Sequence, residues 1–129
     1  MRESERGFNF IIGNMFGSKT SEMIHLLNLE ENMGRKVQAF KISWDERYDS
    51  VNLLTHHGMA YPAFQVRDTS GLTKALRRST EVIGIDEVQF FEDNVINWAH
   101  LYAQHGGIVV ASGLLKDFRD EYFPFKQTV

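Results

Sequence analysis

Phe8-Asn9-Phe10-Ile11-Ile12-Gly13-Asn14-Met15-Phe16-Gly17-Ser18-Lys19-Thr20 is the stretch on which the fold turns. Its apolar start, residues 8–12, predicts a short buried strand. A loop of Gly13, Asn14, Met15, Phe16, Gly17 and Ser18 follows, and a helical pattern begins at Lys19-Thr20. Strand, glycine loop, Lys-Thr and helix together describe a phosphate cradle. Loop amides and the helix N-terminus face the anion, Lys19 supplies a point charge, and the Thr20 hydroxyl can ligate Mg²⁺. In the pattern G-x-x-x-x-G-K-[ST] a glycine directly precedes the lysine; here Ser18 stands there and Gly17 comes one place early. A Cβ at position 18 hinders close backbone approach to phosphate or resists a positive φ. Taken alone, the residues also fit an ordinary strand–loop–helix turn.

The rest of the chain suits a single α/β domain. With 129 residues, 43% hydrophobic and 24% charged, it is an ordinary globular sequence large enough for one core. A net charge of −3 argues against a broad nucleic-acid-binding surface. No apolar run reaches membrane-spanning length and the start of the chain has no signal-peptide core, so the cytoplasm is the expected location. The absence of cysteine excludes disulfides and any thiolate zinc site.

Residues 1–7 are polar and read as a frayed end. A first helix is expected over 19–33, with Met23, Ile24, Leu26, Leu27 and Met33 as its apolar stripe and Gly34 as its stop. Residues 37–42 alternate as a strand, and residues 43–61 read as a long polar connection. After Pro62 comes a short strand over 63–66, then a basic helix over 70–79 with Lys74, Arg77 and Arg78 solvated. Residues 81–85 are a buried-strand run, 94–104 a second clear helix, and 108–111 another apolar strand. Strands alternating with helices predict a parallel sheet covered on both faces, a P-loop NTPase-like α/β architecture spanning residues 1–129. Ligand sites on such sheets collect at the carboxyl edge of the strands.

The second chemical stretch is Ile85-Asp86-Glu87-Val88-Gln89-Phe90-Phe91. An apolar strand delivering a carboxylate at its end suits a Mg²⁺–nucleotide site, with Asp86 on the metal side. Glu87 is then placed to accept a proton from an attacking hydroxyl. An acidic strand end that merely opens a turn has the same local sequence.

These stretches together resemble the cellular-type, or type II, thymidine kinase family. The family's glycine loop, Asp-x-Arg-Tyr, Ser-His-x-Gly, Ile-Asp-Glu-x-Gln-Phe-Phe and Gly-Leu-Asp-x-Asp-Phe-Arg-Gly-x-x-Phe segments find collinear counterparts at residues 13–20, 45–48, 55–58, 85–91 and 113–123. The resemblance implies a deoxynucleoside kinase that moves the ATP γ-phosphate to the 5′-hydroxyl of thymidine. It implies Lys19 and Thr20 at the phosphates and Mg²⁺, Asp86 as the metal's acidic partner and Glu87 as the base. Asp45 and Arg47 match the family pair beside the transferring phosphate, where an arginine fork suits developing charge. Met15, Phe90, Leu114, Phe118 and Phe123 would line the nucleoside pocket; core packing is the alternative for each. The implied partners are ATP and a nucleoside, with a homotetramer as the assembly.

Against the family pattern, Ser18 and Gly17 are exchanged, and Leu115 and Asp120 replace the usual aspartate and glycine. The family's zinc-bearing lasso subdomain is expected to be absent, and with it the zinc. A truncated relative acting as a nucleotide-binding or assembly module is the runner-up, and an ATPase or GTPase switch a third class. The histidines show no ligand spacing and are expected to be solvated or packed.

Overall fold

The computed structural model describes residues 2–5, 7–12, 19–42, 52–54, 60–91 and 95–113. Five strands, β2 (Phe8–Ile12), β3 (Val37–Ile42), β6 (Phe64–Val66), β7 (Val82–Asp86) and β8 (Ile108–Gly113), run parallel in one sheet. A sixth, β1 (Arg2–Glu5), joins it antiparallel, giving the order β1-β2-β8-β7-β3-β6. The expected α/β architecture is therefore present. The terminal segment corrects the reading of a frayed end: Arg2–Glu5 pairs with β2 from Arg2 opposite Ile11 to Glu5 opposite Phe8. Pairing with β2 defines this edge strand, and a polar sequence gives no apolar signal for it.

Helices α1 (Lys19–Asn32) and α3 (Val95–Gln104) flank the sheet, with the short α2 (Thr69–Ala75) near its β6 edge. Alternation along the strands sorts side chains between two cores. On one face Met23, Ile24 and Leu27 of α1 pack with Ile11, Ala39, Val82 and Val110. On the other, Val95, Ile96, Ala99 and Ala103 of α3 pack with Phe8, Phe10, Ile83, Ile85, Val109 and Ala111. Each fully buried Val, Leu, Ile, Met or Phe side chain among them contributes about 1.5–3 kcal/mol. The sheet and α1 meet closely at Gly84, where a Cβ would lie 2.8 Å from Leu27 Cδ1. Met33, expected in the apolar stripe, is instead 62% exposed just past the end of α1. Gly34 ends the helix at φ +89°, with Gly34 N–H donating to Glu31 O and Arg35 N–H to Glu30 O.

Two further boundaries differ from the sequence reading. The connection expected over 43–61 contains strand β4 (Asn52–Leu54), paired antiparallel with β5 (Ala60–Pro62). Leu53 and Tyr61 of this hairpin join the α1-side core, and the Tyr61 hydroxyl donates to Glu31 at 2.5 Å. Burial is the main cause that pushes the Tyr61 phenol up, with Glu31 adding to it. The basic helix expected over 70–79 stops at Ala75. Gln38, buried on β3, explains the stop. Its Nε2 donates to Ala75 O, while its Oε1 accepts from Arg77 N–H at 2.8 Å and from the Thr80 hydroxyl at 2.5 Å. Backbone groups that would continue the helix are thereby spent on a strand 39 residues upstream of Arg77. We expect Gln38→Leu to destabilise the fold by about 1–3 kcal/mol in urea unfolding, because it strands these polar groups. Lys74, Arg77 and Arg78 are exposed as expected, with the Arg77 guanidinium 5.5 Å from the centre of the Phe64 ring.

Candidate active site

Three adjacent strands, β2, β8 and β7, end side by side at the carboxyl edge. The register sets Ile11 beside Ser112, and Ile85 beside Ala111. Ser112 and Asp86 thus share the sheet face that carries α1, whose first residue is Lys19. The fold brings together the two stretches singled out in the sequence with β8 lying between them.

Lys19 is only 5% exposed, and its Nζ lies 2.8 Å from Glu87 Oε1. The second carboxylate oxygen of Glu87 accepts from Gln89 Nε2 at 2.9 Å. The lysine of the phosphate motif and the expected base, 68 residues apart in sequence, form an ion pair. Thr20 follows in the first turn of α1 and is partly buried.

Glu87 has φ 55° and ψ 54°, a left-handed conformation that no other non-glycine residue adopts among the described ones. A side chain there costs on the order of 1–3 kcal/mol. Three contacts offset it: the ion pair, the Gln89 amide and a hydrogen bond from Glu87 N–H to Ser112 Oγ at 3.1 Å. The chain then enters the 3₁₀ turn Val88–Phe90, closed by Phe90 N–H on Glu87 O.

Asp86 is 8% exposed, and its Oδ1 accepts the Ser112 hydroxyl at 2.5 Å. Burial is the largest influence on its carboxyl and pushes its pKa up. The Ser112 hydrogen bond opposes this, the neighbouring Glu87 charge adds to it, and Lys19 and Lys41 act against it. Lys41 stands opposite Asp86 in the β3–β7 register. Sequence reasoning missed both Ser112 and Lys41. Alternation along β3 put Lys41 on the same face as Ala39, which was the available signal; nothing local marked Ser112.

Of the residues expected to line a nucleoside pocket, Phe90 is described and is 41% exposed, so it is not committed to the core. Val88 and Phe91 on either side are buried instead. Gly13, Asn14, Met15, Phe16, Gly17, Ser18, Asp45, Arg47, Leu114, Phe118 and Phe123 lie outside the described residues. His25 and His105 are exposed, and His100 stacks on Phe8 with ring centres 4.4 Å apart. Among the described residues no three His, Cys, Asp or Glu side chains group as a metal site. No helix there is long and apolar enough to cross a membrane. Clefts of about 380 and 350 Å³, both bordered by Glu31, Val37 and Arg77, open at the amino edge of the sheet, away from the acidic pair.

What this edge can do follows from its groups. A buried ammonium can neutralise an anion, a carboxylate on a stiff turn can take a proton, and a second carboxylate can face a hard cation. Comparison with known proteins accords with that chemistry. A family model described as thymidine kinase matches residues 7–129. The chain is 38% identical over 121 residues to a thymidine kinase of Mycoplasma capricolum, covering 90% of this chain and 57% of that protein. It is 39% identical over 119 residues to a thymidine kinase of Thermococcus kodakarensis, covering 88% and 60%. A thymidine kinase of Mesoplasma florum is 38% identical over 121 residues, covering 90% and 59%. The chain thus spans about three-fifths of the length of these curated relatives. With its Lys-Thr pair and strand-end acids brought to one edge of a parallel sheet, the chain belongs to the thymidine kinase family.

Proposed function

We propose that the protein transfers the γ-phosphoryl group of ATP to the 5′-hydroxyl of thymidine. The observation that carries this reading is the meeting of Lys19 with Glu87 at the edge where Asp86 also ends. In the reaction the 5′-oxygen attacks the γ-phosphorus as its proton passes to Glu87. The bond from that phosphorus to the β,γ-bridging oxygen breaks, and ADP leaves. Lys19 follows the phosphate charge, and Arg47 with Asp45 flanks the transferring group. Met15, Leu114, Phe118, Phe123 and the exposed Phe90 ring form the nucleoside pocket.

The donor set fits Mg²⁺. Thr20 and Asp86 offer hard oxygens, and Asp86 is nearly buried with one oxygen already oriented by Ser112. When bound, Mg²⁺ neutralises charge on the β- and γ-phosphates. By family resemblance the protein is read as a cytoplasmic homo-oligomer.

The test is ADP release measured with and without thymidine. We expect turnover that depends on the nucleoside and yields the 5′-monophosphate. ATP hydrolysis at the same rate without any nucleoside would instead assign the site to an NTPase.

A further inference from the structure

We propose that Ser112 is a positioning residue for the acidic pair, using one hydroxyl to orient Asp86 and to pin the turn that aims Glu87. The proposal rests on the kinase reading for the roles of the two acids, but the geometry stands on its own. Ser112 is fully buried at the carboxyl end of β8, between the strand that leads to the phosphate loop and the strand that ends in the acids. Its Oγ donates to Asp86 Oδ1 at 2.5 Å and accepts from Glu87 N–H at 3.1 Å.

A hydroxyl has one donor and two acceptor positions, so both bonds can be held at once. Each restrains a different thing. The first directs one Asp86 oxygen back into the protein and leaves the other for an outside partner. The second anchors the amide of the one described non-glycine residue in a left-handed conformation. Without that anchor only the ion pair and the Gln89 amide hold Glu87 in this conformation, and relaxation to an ordinary backbone angle would swing its carboxylate away from Lys19. An alanine at 112 would keep the packing and lose both restraints. The effect would therefore fall on orientation rather than on the existence of the site, and misorientation at a reacting centre lowers kcat more than binding.

The experiment compares Ser112→Ala with the shape-matched pair Ser112→Thr and Ser112→Val, which differ from each other only in the hydroxyl. Two quantities are read: thymidine kinase kcat and KM, and the factor by which Mg²⁺ raises ATP affinity in calorimetry. We expect Ser112→Ala and Ser112→Val to lower kcat about 10- to 100-fold with KM for thymidine changed less than about threefold. The Mg²⁺ enhancement of ATP affinity falls in both, while Ser112→Thr keeps both properties. In a Glu87→Gln background Ser112→Ala lowers kcat much less, since the base it positions is gone. Equal behaviour of the Thr and Val variants in both measurements overturns the proposal, even if the alanine variant does not fold. If the wild-type protein phosphorylates no nucleoside, the kinase reading fails. The Thr-versus-Val contrast in Mg²⁺-dependent ATP binding then decides the Ser112 proposal by itself.

Discussion

We expect Lys19→Met to remove the thermal stabilisation that Mg²⁺–ATP should give the protein under the proposed function. A ligand at 100 times its Kd stabilises a native state by about 2.7 kcal/mol, a rise of roughly 10 °C for a domain of this size. The variant is expected to lose most of that rise and at least about 10²-fold in kcat, since in the proposed reaction the ammonium would meet charge that develops on the phosphoryl oxygens. Its effect on the free protein is much smaller. Methionine fills similar volume without the desolvation penalty of a cation that is 5% exposed. Glu87, 29% exposed and still bonded to Gln89, retains water and a partner, so we expect a change of about 1 kcal/mol in urea unfolding. A variant whose ATP-dependent thermal shift equals that of the wild type would show that the first turn of α1 does not serve a triphosphate.

Glu87→Gln separates chemistry from binding. The amide keeps the size of the side chain but cannot take a proton, so under the proposed mechanism kcat is expected to fall about 10²- to 10⁴-fold. ATP affinity moves the other way. In the described arrangement Lys19 is engaged by the Glu87 carboxylate at 2.8 Å, so a phosphate must draw the ammonium off a competing anion. Neutralising position 87 removes that competition, and a tighter ATP Kd in calorimetry is expected. Should ATP bind less well while kcat stays within tenfold of the wild type, Glu87 is a phosphate-side residue and not the base.

The ion pair also shows where sequence reading stops. Periodicity suffices for elements that carry an apolar face: residues 8–12, 37–42 and 81–85 read as strands, and 94–104 as a helix, within a residue or two of the structure. It fails where long-range partners decide. Arg2–Glu5 is a strand because β2 offers it an edge, and α2 ends at Ala75 because Gln38 captures the backbone beyond it. The motif residues Lys19, Asp86 and Glu87 stood out one by one in the sequence, each with its own expected task. That the first and last touch depends on strand order, which spacing does not encode. Ser112 was invisible for the same reason, because a serine at the end of an apolar strand acquires meaning only from its neighbours across the sheet. Other candidate positions, Asp45, Arg47 and Phe118 among them, lie outside the described residues.

The strand order has one more consequence, for the newborn chain. Among the described strands of the sheet, β8 comes last along the sequence, yet it lies between β2 and β7. Until residues 108–113 have left the ribosome, the earlier strands cannot close into one sheet, and β2 and β7 each present an open edge to whatever is nearby. Protection of those edges during synthesis, by a chaperone or by speed, is thus built into what this topology asks of the cell.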